Sequence, residues 1–241
     1  SDRFRLIEII TGSFMMSNAI GVDATMSQIY VHHEINCAPR HWSEVAEQVQ
    51  NSSHFKNADG NALLYGIWRS QIGLPRDVLT MISVWPDMET ASSRSDDIFS
   101  DLKFINSHKT KLLTPTLRPQ TNEPLVKQGN YAFRWFKTPK ENYDKFLQLC
   151  EEAWPSFESS FDSQVIGLWR QQPIDKNSVS TLLLTRRPDL SMWERSKIPK
   201  TMEEKATREK LSRRYDLCDH TVVYTTTLIT ARDAKDTVSW S

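Results

Sequence analysis

Two stretches of this chain repeat one another: Gly66-Ile67-Trp68-Arg69-Ser70-Gln71 returns as Gly167-Leu168-Trp169-Arg170-Gln171-Gln172, 101 residues on. Solenoid repeats have periods of roughly 20 to 50 residues, so a shift this long implies a duplicated folding unit. Upstream of each copy, Trp42, Val45, Ala46 and Val49 recur as Tyr143, Phe146, Leu147 and Cys150 at the same shift. Both sets have the i, i+3, i+4, i+7 spacing that lines one face of a helix. Downstream, Leu79 to Trp85 closes at Pro86-Asp87 and Leu182 to Arg187 closes at Pro188-Asp189, the shift having grown to 102. Each reads as a strand ended by a proline that cannot donate to a central ladder.

The patterning predicts, in the first half, strand Gln28 to Ile35, helix Pro39 to Gln50, strands Ala62 to Ser70 and Val78 to Trp85, a helix around Ser95 to Ile105, and strand Thr110 to Leu117. The second half reads as strand Asn130 to Phe136, helix Pro139 to Trp154, strands Gln164 to Arg170 and Val179 to Arg187, helix Glu203 to Tyr215, and strand Thr221 to Thr230. Pro119, Pro124 and Gly129 mark a linker. The expected division is a first module over 1–118, a linker over 119–129 and a second module over 130–241. Phe4 to Ile10 suits an added edge strand, and Met15 and Met16 suit local packing or a flap.

Both halves then share the order β-α-β-β-α-β, the split arrangement with helices on one face of an antiparallel sheet. Tyr131, Phe133 and Trp135 alternate with Ala132, Arg134 and Phe136, so both faces of that strand need cover. The expected fold is α+β: tandem ferredoxin-like modules whose two sheets face one another, an intrachain dimeric α+β barrel with its helices outside.

Composition narrows the partners. Thirty basic residues balance thirty acidic ones, so no electrostatic footprint for nucleic acid is present, and no Gly-rich phosphate loop accompanies it. The longest apolar run, Ala62 to Trp68, is far short of the roughly 20 residues of a transmembrane segment. No secretory leader is visible at the start, and Cys37, Cys150 and Cys218 form an odd, widely spaced set. A reducing, cytoplasmic setting is therefore expected. Homo-oligomerisation to cover exposed edges is compatible with this reading.

The paired Gly-hydrophobic-Trp-Arg strands and their Pro-Asp strand endings resemble the NIPSNAP family of the dimeric α+β barrel superfamily, over Gln28 to Thr230. That resemblance implies ferredoxin-like modules paired through their sheets. Similar barrels include polyketide cyclases, isomerases, cofactor-independent monooxygenases, chlorite dismutase-like haem proteins and non-enzymatic ligand binders, so architecture is implied more than reaction.

The first strand carries the sharpest contrast between the halves. Tyr30, His32 and Glu34 share one face and Ile29, Val31, His33 and Ile35 the other. The 101-residue shift carries His32 and Glu34 onto Phe133 and Trp135, an ionisable half opposite an aromatic one. Such a cleft suits a hydrophobic or aromatic small molecule beside an acid-base pair. In this reading His32 transfers protons, Glu34 orients it, and Arg69 or Arg170 stabilises developing oxygen charge. Tyr30, Tyr65, Tyr131, Phe133 and Trp135 would bind the substrate. The same residues equally suit polar satisfaction across a wet strand face, and Trp68 and Trp169 suit the core.

No metal or tightly bound cofactor is expected. Adjacent His32 and His33 point to opposite strand faces, and neither a Cys-x-x-Cys-His nor a His-Glu-x-x-His pattern occurs. The expected activity is acid-base chemistry on a carbonyl-containing or aromatic substrate: isomerase, lyase or cofactor-independent monooxygenase. A non-catalytic ligand- or protein-binding barrel and a haem enzyme are the alternatives.

Overall fold

The computed structural model describes residues 28–56 and 62–233; the expected edge strand at Phe4 to Ile10 and the pair Met15 and Met16 lie outside them. The first half runs β1 (Ile29–Cys37), α1 (Trp42–Asn51), α2 (Ser53–Lys56), β2 (Leu63–Ile72), β3 (Val78–Trp85), α3 (Met88–Arg94) and β4 (Ile105–Arg118). The second runs β5 (Asn130–Pro139), α4 (Tyr143–Phe161), β6 (Gln164–Gln172), β7 (Ser178–Arg187), α5 (Leu190–Arg195), α6 (Met202–Arg213) and β8 (His220–Leu228).

Within each half the strands lie in the ferredoxin-like order β4-β1-β3-β2 and β8-β5-β7-β6. The expectation of two separate sheets facing one another is corrected here. Trp68 on β2 pairs with Leu228 on β8, and Thr114 on β4 pairs with Arg170 on β6. These two seams turn the halves into one continuous antiparallel ladder that closes on itself as a single eight-stranded barrel. The physical reason is edge pairing: each outer strand finds its missing hydrogen-bond partner on the other half. A pair of stacked sheets would leave those edges open.

Three apolar clusters follow from that closure. The four-residue stripe of α1 packs on the outside of the first half, with Val45, Ala46 and Val49 against Val31, Ile35 and Ile67. The stripe of α4 packs on the outside of the second, with Phe146, Cys150 and Ala153 against Phe136, Leu168 and Leu183. The interior is filled by Tyr30, Tyr65, Trp68, Tyr131, Phe133, Trp169 and Tyr224 with aliphatic neighbours.

The repeated Gly-x-Trp now has a cause. Each tryptophan ring folds back over the glycine two residues earlier on the same strand face. A Cβ on Gly66 would fall 2.6 Å from Cη2 of Trp68, and one on Gly167 would fall 2.2 Å from Cη2 of Trp169. The Pro-Asp endings are helix starts as well as strand stops. Asp87 accepts from the Thr90 amide at 2.7 Å and Asp189 from the Met192 amide at 2.9 Å, capping α3 and α5.

Several boundaries shift. The helix expected around Ser95 to Ile105 is replaced by α3 and a short turn at Asp97–Phe99, because Asp87 starts the helix directly after Pro86 and Ile105 already pairs with Cys37. Helix α4 continues through Pro155 to Phe161, since Phe157 and Phe161 on its buried face hold it to the sheet. The expected linker closes one end of the barrel. The Leu125 amide donates to the Tyr65 carbonyl at 2.8 Å, and the Tyr131 hydroxyl donates to the Lys127 carbonyl at 2.5 Å.

Candidate functional site

Period-two alternation sends Tyr30, His32 and Glu34 of β1 inward at successive levels. Tyr30, at the end covered by the linker, packs edge-on against Tyr65 with ring centroids 5.3 Å apart and lies 5.4 Å from Trp169. Its hydroxyl donates to the Thr121 carbonyl at 3.4 Å. Tyr131 shares this level. Of the five expected substrate-binding residues, Tyr30, Tyr65 and Tyr131 are therefore sealed packing groups, and burial raises all three phenols above their ordinary pKa.

His32 occupies the middle level. Its ring lies 6.0 Å from Phe133 and 5.4 Å from Trp135, both edge-on. The duplication thus brings the ionisable strand and the aromatic strand together across the interior. His32 Nε2 is 2.9 Å from the Tyr224 hydroxyl, and Nδ1 is buried without a partner. Burial, then the Lys111 charge, pulls the His32 pKa down to about 3. Tyr224 stacks on Phe133 at 5.1 Å and receives a hydrogen bond from Thr80 at 3.5 Å.

The open level is a cavity of about 350 Å³ at the barrel mouth, lined by Glu34, Leu74, Lys111, Trp135, Gln171, Val222, Tyr224 and His220 among others. Glu34 accepts from Lys109 at 3.4 Å. Lys111 places its ammonium 4.0 Å from the centroid of Trp135; burial lowers its pKa, an effect Glu34 opposes. The cavity therefore combines an aromatic wall, the partly desolvated ammonium of Lys111, the exposed ammonium of Lys137, the His220 imidazole, one carboxylate and one phenol.

The expected site is brought together only in part. Glu34 and Trp135 reach the cavity, and His32 lies beneath it, behind Tyr224. Glu34 does not orient His32: same-face residues two apart on a strand are separated by about 6.6 Å, and Glu34 turns to Lys109. Arg69 and Arg170 do not join them. Because Trp68 and Trp169 point inward, the next residues must point outward. Arg69 lies 4.0 Å over the Trp42 ring of α1, and Arg170 acts electrostatically on Tyr143 of α4. The residues missed are Tyr224 and Lys111. Lys111 was detectable in principle, since it has the same strand parity as the core residue Leu113.

His33 faces outward, bonded to Thr110 at 3.2 Å and Ser83 at 3.1 Å beneath Phe99. Among the described residues no group of three or more His, Cys, Asp or Glu could hold a metal ion. His32 Nε2 is taken by Tyr224, both ring nitrogens of His33 are engaged, and His220 stands exposed at the cavity rim. The crevice between sheet and helices in the second half is only about 30 Å³ and offers no histidine or thiolate.

No family model matches the chain, and no curated protein matches it. The fold is similar to that of an anthrone oxidase-like protein, with a TM-score of 0.58 at 9% identity over 90% of this chain and 98% of that one. It is similar to a candidate monooxygenase from Lactobacillus acidophilus NCFM, with a TM-score of 0.54 at 16% identity over 85% and 97%. It is also similar to chlorite dismutase from Candidatus Nitrospira defluvii, with a TM-score of 0.54 at 8% identity over 84% and 91%. With no family model matching, the NIPSNAP resemblance is corrected: the short Gly-x-Trp and Pro-Asp signals report strand packing and helix capping and carry no family assignment. Among the described residues no helix is long and apolar enough to cross a membrane.

Proposed function

We propose that the barrel-mouth cavity binds a small, largely apolar or aromatic molecule bearing an ionisable oxygen and acts on it by acid-base chemistry. The observation that carries this reading is the convergence of Trp135, Lys111, Glu34 and Tyr224 on one cavity of about 350 Å³, within the roughly 300 to 1,000 Å³ usual for small-molecule sites. Trp135, Leu74 and Val222 supply the apolar wall. Lys111 faces the position where an enolate or phenolate oxygen gains charge, and Glu34 is placed to accept the proton released. The Tyr224 hydroxyl donates toward the same oxygen, with the neutral His32 ring fixing its direction. The names of two structural neighbours, a candidate monooxygenase and an anthrone oxidase-like protein, support an aromatic ketone or phenol as the class of molecule.

A second reading is favoured by the sealing of His32. With His32 bonded to Tyr224 and Glu34 already accepting from Lys109, the same cavity then serves to bind without turnover. Equilibrium dialysis with anthrone, followed by oxygen consumption and product analysis, separates the two. Binding with turnover supports the enzyme; binding alone supports the binder. Retained binding in a Val222→Trp variant that fills the cavity removes the site from both.

A further inference from the structure

The second half carries a cluster of cations that the barrel-mouth site does not use. Arg134 from β5, Arg187 from β7, Lys197 after α5, and Arg208 and Arg214 from the α6 region converge on the crevice of about 30 Å³ between sheet and helices. Arg187 is 5% exposed; its Nη1 donates to Thr185 at 2.9 Å and its Nε has no partner. Among the described residues no carboxylate forms an ion pair with any of the five. The nearby Glu204 is taken by Arg195 at 2.5 Å. Burial and the four neighbouring arginines draw Lys197 down to about 7, and burial with Arg134 and Arg208 draws Arg187 down to about 10.

Gathering like charges in a partly desolvated place is unfavourable unless an opposite charge completes it. Guanidinium forks match tetrahedral and planar oxyanions, and charge-assisted bonds to them are the strong ones. Five cations exceed what one carboxylate balances, and a dianion suits them better. A space near 30 Å³, against the 10–15 Å³ or so that one water requires, admits a compact group and excludes a whole nucleotide.

We infer that this crevice is a binding site for a phosphate group, free or carried as a monoester, held by Arg187 and Arg134 from the sheet and by Arg208, Arg214 and Lys197 from the helical side. Half-buried Lys197 and Arg208 form its approach from solvent. The site is on the outside of the barrel wall and does not depend on the reading of the barrel mouth.

The test is calorimetric titration of the full chain with inorganic phosphate and, separately, phenyl phosphate, with thermal unfolding against sodium chloride at matched ionic strength. Saturable binding at one site and a rise in Tm beyond the chloride control are expected. Tighter binding of phenyl phosphate identifies a monoester, and equal or weaker binding the free ion. Arg208→Gln and Lys197→Gln should each weaken binding at least tenfold while raising the Tm of the anion-free protein, because each relieves repulsion; a purely structural role would lower it. Absence of saturable binding by both probes, or binding unchanged in both variants, overturns the site. Both positions are half-buried, so the test does not hinge on folding of an Arg187 variant.

Discussion

The imidazole Nε2 of His32 and the hydroxyl of Tyr224 lie 2.9 Å apart inside the barrel, contributed by strands from different halves of the chain, 192 residues apart. Only Tyr224 of the pair reaches the cavity. His32 meets the cavity only through that phenol. If the cavity is catalytic, Tyr224→Phe should lower kcat by about 100-fold, the usual scale for losing a positioned proton donor, with KM little changed. His32→Gln, which can still bond the phenol, should cost less. Steady-state kinetics on both variants checks the order; a larger loss in His32→Gln would return His32 to the reacting centre.

Acid should unfold the protein through its sealed histidines. The folded pKa of His32 is about 3, against an ordinary value of 6.5, and burial also holds His33 well below that value. The unfolded chain therefore binds more protons below about pH 6.5, so stability rises with pH across that window and falls on acidification through it. Each histidine contributes up to about 1.4 kcal/mol per pH unit between its two pKa values. Urea unfolding at pH 7 and pH 4.5 should show a smaller loss of midpoint in His32→Gln than in the unaltered chain. Equal losses would place the acid sensitivity elsewhere.

Adding a methyl group at either repeated glycine should destabilise the fold. Ala at position 66 or 167 forces the Trp68 or Trp169 ring out of its place, an overpacking cost of about 1–3 kcal/mol. Gly167→Ala, with the shorter approach, should lose more. Chemical denaturation measures it, and a second change of the same tryptophan to Leu should recover part of the loss; no recovery would mean that the backbone, not the ring, sets the requirement.

The two caps are open to the same kind of measurement. Asp87→Ala and Asp189→Ala each remove the side chain that accepts the amide at 2.7 or 2.9 Å, and each should lower the denaturation midpoint. Asn at either position, which can still accept, should restore most of it.

What the amino-acid sequence determined by itself is local and periodic. The 101-residue shift, the helical stripes beginning at Trp42 and Tyr143, and the alternation along Ile29–Cys37 and Asn130–Pro139 all survive in the structure, because side-chain period and burial are properties of neighbouring residues. Long-range pairing carries no such local signal. Which outer strands meet, Trp68 with Leu228 and Thr114 with Arg170, was decided only when the halves docked. That docking selects the site. It seals His32 behind Tyr224, sets Lys111 against Trp135, and leaves Arg69 and Arg170 on the helical face. A residue's face can be read from the parity of its strand; whether that face is closed over or left open depends on what the rest of the chain places above it.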